Sequence, residues 1–438
     1  MSLRSEKECR EILQKVLSYS KADEAEANFN GGTSGNIRYA RNSVSTSGIV
    51  RNESLVVQSS FGKKTGTATI NEFDDASLQK VVRRSEELAQ LAPENPEYVG
   101  FLGPQKYLES NTYFDSTANI TPDYRAQAAA ASITRSKAKD LTAAGFLQDN
   151  AGYQAMMNTK GLFAYNQATG VNFTVTVRTA DGKGSGWVTR DYNDVSKLDT
   201  GMASQFAIDK AVMSQEAKAV EPGKYTVILE PAASIGLLQN MIGSFGARQA
   251  DEGRSFLAKK GGGNKLGEKI VDERVNLYSD PTNPEVPSQT WAGDGQPRKK
   301  IYWIKNGVVQ NMFYSRYWAQ EKGVEPMPFP SNGIMEGGTA SIDDMIKSTK
   351  RGILVTRTWY IRSVDPQTLL YTGLTRDGTF FIEDGKIAYP VKNFRFNESP
   401  VIMLNNLEAL GKPQRINGNL IPPMKIRDFT FSSLSDAV

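Results

Sequence analysis

Residues 221–245 read EPGKYTVILEPAASIGLLQNMIGSF, and the way this stretch divides decides the fold. Pro222-Gly223 breaks the pattern that precedes it. Val227–Leu229 is a short apolar run of the kind that forms a buried strand. Ala232–Phe245 places Ile235, Leu238, Ile242 and Phe245 at helical spacing, an apolar stripe on one face. A buried strand running into an apolar helix reads as the core of its own domain. The boundary is therefore placed near residue 220, with an N-terminal domain over 1–220 and a C-terminal domain over 221–438.

Upstream, residues 5–19 have the pattern of an amphipathic helix. Strands are predicted at 24–29, Ile37–Ala40, Val44–Val50, Ser54–Ser60 and Thr67–Ile70, with a hairpin turn over Gly62 to Gly66. Asp74 or Asp75 caps a helix carrying Leu78, Val81, Val82 and Leu88. Residues 94–120 are rich in Pro and Asn and read as a long surface connection. Thr121-Pro122 opens a second helix, because proline at the first helical position sacrifices no hydrogen bond. The Ala-rich run continues that helix through Ala126–Ala144. Strands follow at Gly152–Met157, Gly161–Asn166, Val171–Thr179 and Gly184–Val188, then a helix at Thr200–Ser214. Downstream of about 270 the pattern is mostly short strands and turns. The fold class is α+β: an N-terminal sheet-and-helix domain, then a β-rich domain built around the apolar helix over 232–245. No repeat of fixed period is present.

The 438-residue chain contains no histidine. That excludes a Ser-His-Asp triad, a Cys-His dyad and an HExxH zinc site. One cysteine, Cys9, excludes an intrachain disulfide and any Cys-rich metal site. A net charge of +4 with interspersed signs argues against nucleic acid as the main ligand. No run approaches the roughly 18 apolar residues needed to cross a bilayer. The first residues are charged and lack an apolar leader, so a cytoplasmic protein is expected.

Several pieces, in order, resemble the TldD/PmbA family, also known as modulator of DNA gyrase or TldD/TldE peptidases. Asn36–Val44 is similar to a segment of the family's first domain. Glu221–Pro231 is similar to its strand before the motif helix. Leu237–Ser244 falls where catalytic members carry Leu-Leu-His-Glu-x-x-Gly-His. Asp294–Pro297 with Ile304–Val308, Phe381–Lys392 and Leu407–Gly411 resemble three further segments, the last of which holds a ligand cysteine in catalytic members.

The resemblance implies a zinc peptidase whose metal is held by two histidines and a thiolate, with a glutamate as general base. This chain departs at each position. Gln239 stands for the first histidine, Asn240 for the glutamate, Ser244 for the second histidine and Leu410 for the cysteine. Amides and a hydroxyl are poor zinc ligands, and an amide cannot accept a proton as a carboxylate does. No zinc or other cofactor is expected. The resemblance therefore implies a PmbA/TldE-like, catalytically degenerate subunit in a homodimer, or in a heterodimer with a TldD-like metallopeptidase. Peptide is the expected substrate. Two alternatives stay open: a hydrolase with a relocated carboxylate site, and a stand-alone peptide-binding protein using an open sheet edge. Asp251, Glu252 and Arg254, just after the helix, are the candidates for a peptide cleft or such a site. A charge-balanced exposed turn is the plainer reading of them. Gly261-Gly262-Gly263 reads as a flexible loop, and Phe313, Tyr314, Tyr317 and Trp318 as core aromatics.

Overall fold

The computed structural model describes residues 3–435. The first two and last three residues of the two domain spans read from the sequence lie outside the described residues. In the first half, β1 (Glu24–Ala40), β2 (Ser43–Phe61), β3 (Lys64–Ile70), β4 (Thr142–Asn158), β5 (Phe163–Arg178) and β6 (Ser185–Tyr192) form one antiparallel sheet. Its order is β3-β2-β1-β4-β5-β6. Alternate residues point to opposite faces of a strand, and here one face is apolar. On that face Phe29, Leu55 and Val57 pack with Leu13 and Val16 of α1 (Glu6–Ser18) and Leu78 and Val82 of α2 (Asp75–Leu91). A short α3 (Asp115–Ala118) follows. Leu147, Phe173 and Val175 pack with Ala128 of α4 (Pro122–Lys137) and Ala207 and Ile208 of α5 (Thr200–Met213).

The helix starts follow the capping residues. Asp74 accepts from the Ser77 N–H, and Thr121 accepts from the Tyr124 N–H with Pro122 next in line. Strand lengths and one helix end differ from the sequence reading; the runs expected at 161–166 and 171–179 are the single β5, and the run at 152–157 is the end of the longer β4. The strands expected separately at 24–29 and 37–40 are one strand, as are those at 44–50 and 54–60. Gly31 and Gly32 do not interrupt β1. A Cβ on Gly32 would press on the backbone of Ala151 and Gly152, so glycine serves close approach there. The Ala-rich helix stops at Lys137 rather than running to Ala144. Asp140 turns the chain with φ 53°, and β4 begins at Thr142.

In the second half, β7 (Gly223–Leu229) leads into α6 (Pro231–Gly243) and α7 (Ala247–Asp251). After these come β8 (Leu277–Ser279), β9 (Ile301–Lys305), β10 (Val308–Val309), α8 (Arg316–Lys322), β11 (Ile334–Met335) and α9 (Ile342–Lys347). Then follow β12 (Arg351–Asp365), β13 (Leu370–Glu383), β14 (Lys386–Pro390), β15 (Phe394–Glu398) and α10 (Pro400–Asn405). The last elements are β16 (Leu407–Leu410), β17 (Gln414–Ile416), β18 (Asn419–Ile421) and β19 (Met424–Leu434). One sheet runs β10-β9-β8-β11-β18-β17, the other β12-β7-β19-β15-β13-β14. β12 also pairs with β13, so the strands β12-β7-β19-β15-β13 close on themselves. Closure leaves no free edge in that ring. Tyr225, Phe394, Phe396, Phe429 and Phe431 belong to the core cluster of this half.

Two of these strands, β12 and β13, are long, against the short ones the local pattern suggests. The cap of α9 is Ser341, which shares a reciprocal capping box with Asp344; the Asp343-Asp344 pair fills the first turn.

Candidate functional site: a cleft beside α6

The buried face of α6 is the one its spacing predicts. Ile235, Leu238 and Ile242 are buried, and Phe245 just beyond the helix is 1% exposed. The Thr358 hydroxyl on β12 donates to the Ala233 carbonyl at 2.6 Å and ties the helix to the closed sheet.

The other face of α6 turns toward the first half of the chain. Gln239 is exposed and Asn240 half-buried, and neither side chain has a hydrogen-bond partner among the described residues. Ser244 ends the helix, and its hydroxyl donates back to the Asn240 carbonyl at 2.8 Å. Leu410 ends β16 opposite Met424 and packs half-buried against the core cluster that contains α6. Among the described residues, no three or more His, Cys, Asp or Glu side chains are grouped to hold a metal ion. The donors at these four positions are two amides, a hydroxyl already engaged with backbone, and a hydrocarbon. They do not fit zinc, which takes imidazole, thiolate or carboxylate.

Gln239 lines a cleft of about 330 Å³ between the halves. Asn172 of β5, Trp187 and Thr189 of β6, Arg357 of β12 and Asn417 line it with Gln239. The Arg357 guanidinium lies 4.0 Å from the centre of the Trp187 ring and donates through Nη1 to Asp377 at 2.8 Å. Asp377 is 1% exposed and adopts φ 56°. Its other oxygen accepts from the Ser185 hydroxyl at 2.6 Å, and Arg376 lies 3.9 Å away. Burial works against the Arg357 charge, and Asp377 opposes that effect. Further contacts between the halves are Lys210 with Glu230 at 2.6 Å and Arg415 with Asp191 at 3.0 Å.

The residues following α6 sit elsewhere. Asp251 accepts from Trp318 Nε1 at 2.8 Å and from Asn264 Nδ2 at 2.6 Å, so it joins α7 to α8 and to the glycine loop. Glu252 is engaged by Arg248 at 3.0 Å and by Arg254, and the two arginines hold its carboxyl below the usual range. None of the three lines the cleft beside Gln239. Phe313, Tyr314 and Trp318 pack on the main core. Sequence reasoning missed Arg357, Trp187 and Asp377. No local pattern marks them, since they meet only through tertiary contact.

Comparison with known proteins places the whole arrangement. Residues 222–433 match the PmbA/TldA metallopeptidase C-terminal domain, and residues 25–89 match the PmbA/TldA metallopeptidase domain 1. The chain belongs to the PmbA/TldD family. A metalloprotease from Methanothermobacter thermautotrophicus is 24% identical over 294 residues, covering 61% of this chain and 62% of the relative. A TldD-homologue metalloprotease from Buchnera aphidicola is 24% identical over 284 residues, covering 58% and 57%. The matched part thus spans about three-fifths of the length of these curated relatives. Among solved structures, TldE from Thermococcus kodakarensis has a TM-score of 0.87 at 18% identity, covering 97% of this chain and 99% of that one. A Thermotoga maritima protein named as a candidate modulator of a DNA gyrase also scores 0.87 at 18% identity, covering 97% and 100%. At that identity the likeness establishes a shared fold.

Proposed function

We propose that this chain is a catalytically degenerate, PmbA/TldE-like subunit that supports peptide processing by a TldD-like metallopeptidase partner. One observation carries the reading. α6 keeps its buried face and its tie to β12, while its other positions carry Gln239, Asn240 and a Ser244 that bonds to its own helix. The scaffold of the family site is retained and its ligand chemistry is replaced. The fold shared with TldE supports the same assignment. The partner is a chain with an intact HExxxH motif, and the shared substrate is peptide.

The test is cleavage of an unstructured peptide library by this chain, by a HExxxH-bearing partner, and by the two mixed. The expected result is no cleavage by this chain alone and co-elution with the partner, with chelator-sensitive cleavage by the mixture. Chelator-sensitive cleavage by this chain alone, lost on substitution within residues 239–252, would overturn the proposal.

A second reading has its own support. Every residue of β2 from Ser43 to Asn52 is exposed, and the outer edge of β2 pairs with β3 only from Leu55 onward. Such an edge is suited to strand addition by an extended peptide. Peptide binding that protects the amides of 43–52 from hydrogen exchange, with no HExxxH partner recovered, would favour stand-alone binding over the subunit role.

A further inference from the structure

The cleft beside Gln239 has an unusual balance of groups. Arg357 is the one charged side chain among the residues that line it. Its counter-ion Asp377 lies behind it and is shared with Arg376 and the Ser185 hydroxyl. Two guanidiniums therefore face one carboxylate, and positive charge is left over on the cleft side.

The hydrogen-bond inventory has the same sign. A guanidinium offers five N–H donors and accepts nothing. Arg357 gives Nη1 to Asp377, while Nε and Nη2 have no acceptor among the described residues. Asn172 accepts from the Thr174 hydroxyl at 3.2 Å, which leaves its NH₂ group without a protein acceptor. The exposed amides of Gln239 and Asn417 have no protein partner at either their NH₂ or their carbonyl end among the described residues, so each can turn its NH₂ group to an incoming acceptor. Arg357 and Asn172 are half-buried and Gln239 and Asn417 exposed, so these unmatched donors stand open to water or to a ligand.

We propose that this cleft binds a carboxylate, held by Arg357 with help from the amides of Asn172, Gln239 and Asn417. The carrier is the free C-terminus of a short peptide. A carboxylate is acceptor-only and matches the planar fork of an arginine in two parallel bonds. The Trp187 ring and Asp377 hold that fork in place before the ligand arrives, which lowers the ordering cost of binding. Half-buried Ala232, with the buried Ile235 and Ile416 behind it, gives the cleft a small apolar edge beside the guanidinium. The carboxylate assignment rests on the cleft alone; the peptide carrier rests on the peptide-handling role proposed above.

Calorimetric titration of the full chain tests this with tri-alanine, tri-alanine amide, acetate and inorganic phosphate. Tri-alanine is expected to bind at one site per chain, with the amide at least about 10-fold weaker, as loss of a charged hydrogen-bond partner implies. Arg357→Gln should weaken tri-alanine to the level of the amide, and Arg357→Lys should weaken it less. Arg357→Gln also strips Asp377 of a partner and can unfold the chain, so Gln239→Glu is the second variant. It places an acid at an exposed position of the cleft, and it should cut affinity by about 10-fold or more with Tm unchanged. Equal binding of tri-alanine and its amide, no saturable binding of either tri-alanine or acetate, or full affinity in Gln239→Glu would overturn the proposal. Phosphate binding more tightly than any carboxylate would also overturn it. Acetate binding as tightly as tri-alanine would uphold the carboxylate site and overturn the peptide carrier. A failed search for a HExxxH partner leaves every one of these outcomes readable, so the two proposals fail separately.

Discussion

The Ser244 hydroxyl donates to the carbonyl oxygen of Asn240, four residues earlier in the chain, at 2.8 Å. The bond closes the last turn of α6 on itself. The neighbouring Gln239 and Asn240 side chains remain free of protein partners. The buried face of α6 is carried by other residues, while the Ser244 hydroxyl also reaches the core residue Tyr371.

The proposed family ligand set should be restorable at a cost confined to the Ser244 and Leu410 contacts with the core. The quadruple variant Gln239→His, Asn240→Glu, Ser244→His and Leu410→Cys is expected to fold and to bind zinc, while the parent holds no stoichiometric metal. Affinity should fall short of a native site by about 10–100-fold, the usual cost when an imidazole ligand lacks a hydrogen-bond partner on its other ring nitrogen. Zinc titration with circular dichroism as the folding control checks this. A folded variant that binds no better than the parent would show that these four positions do not face one point.

A buried ion pair anchors the first half. Arg125 on α4 reaches Asp149 on β4 at 2.6 and 2.8 Å, and the two side chains are 3% and 9% exposed. Removing one partner leaves the other charge buried and uncompensated. Asp149→Ala is expected to destabilise the protein by about 3–5 kcal/mol in urea unfolding. A loss below about 1 kcal/mol would mean that water reaches Arg125 in the variant.

Cys9, on the buried face of α1, is fully buried, and burial pushes its thiol up to about 12. The thiolate is the reactive form, so the native protein should resist iodoacetamide at pH 8. In urea the same cysteine should label readily. Mass spectrometry of the two reactions reads the difference. Rapid native labelling would place Cys9 in a locally open segment.

Asp272 is held down at about 2, from an ordinary 3.8, by Arg274, which donates to it through Nε at 2.8 Å and Nη2 at 2.9 Å. Arg274 also donates to the carbonyls of Leu407 and Glu408, so the pair clamps β16, the strand that ends in Leu410. A depressed carboxyl contributes stability that is complete above the unfolded value near 3.8 and is lost as pH falls through about 2. Urea midpoints between pH 7 and pH 2 should drop over that window. Asp272→Asn should lower the neutral-pH midpoint and flatten the acid limb; an acid limb identical to the parent's would exclude this clamp as its source.

Much of the architecture was legible in local pattern. The stripe of Ile235, Leu238, Ile242 and Phe245 specifies the buried face of α6 because a 3.6-residue period allows only one such face. Asp74 and the Thr121-Pro122 step mark helix starts because their chemistry satisfies otherwise orphaned N–H groups. The proposed correspondence of Gln239, Asn240, Ser244 and Leu410 to His, Glu, His and Cys of the family motif is likewise a matter of residue identity, read without coordinates. Other features were decided by distant contacts. Gly31 and Gly32 look like breaks in a strand until β4 is seen lying against them. Asp251 looks like half of an acidic pair with Glu252, yet Trp318 and Asn264 claim it while arginines claim its neighbour. Arg357, Trp187 and Asp377 come together because β12 closes on β13 and both meet the end of the first sheet at Ser185. Sequence patterning acts over the few residues that share a helix turn or a strand face. That Ser185 meets Asp377 across 192 positions is set by sheet closure and the packing of the two sheets, and no local periodicity encodes that.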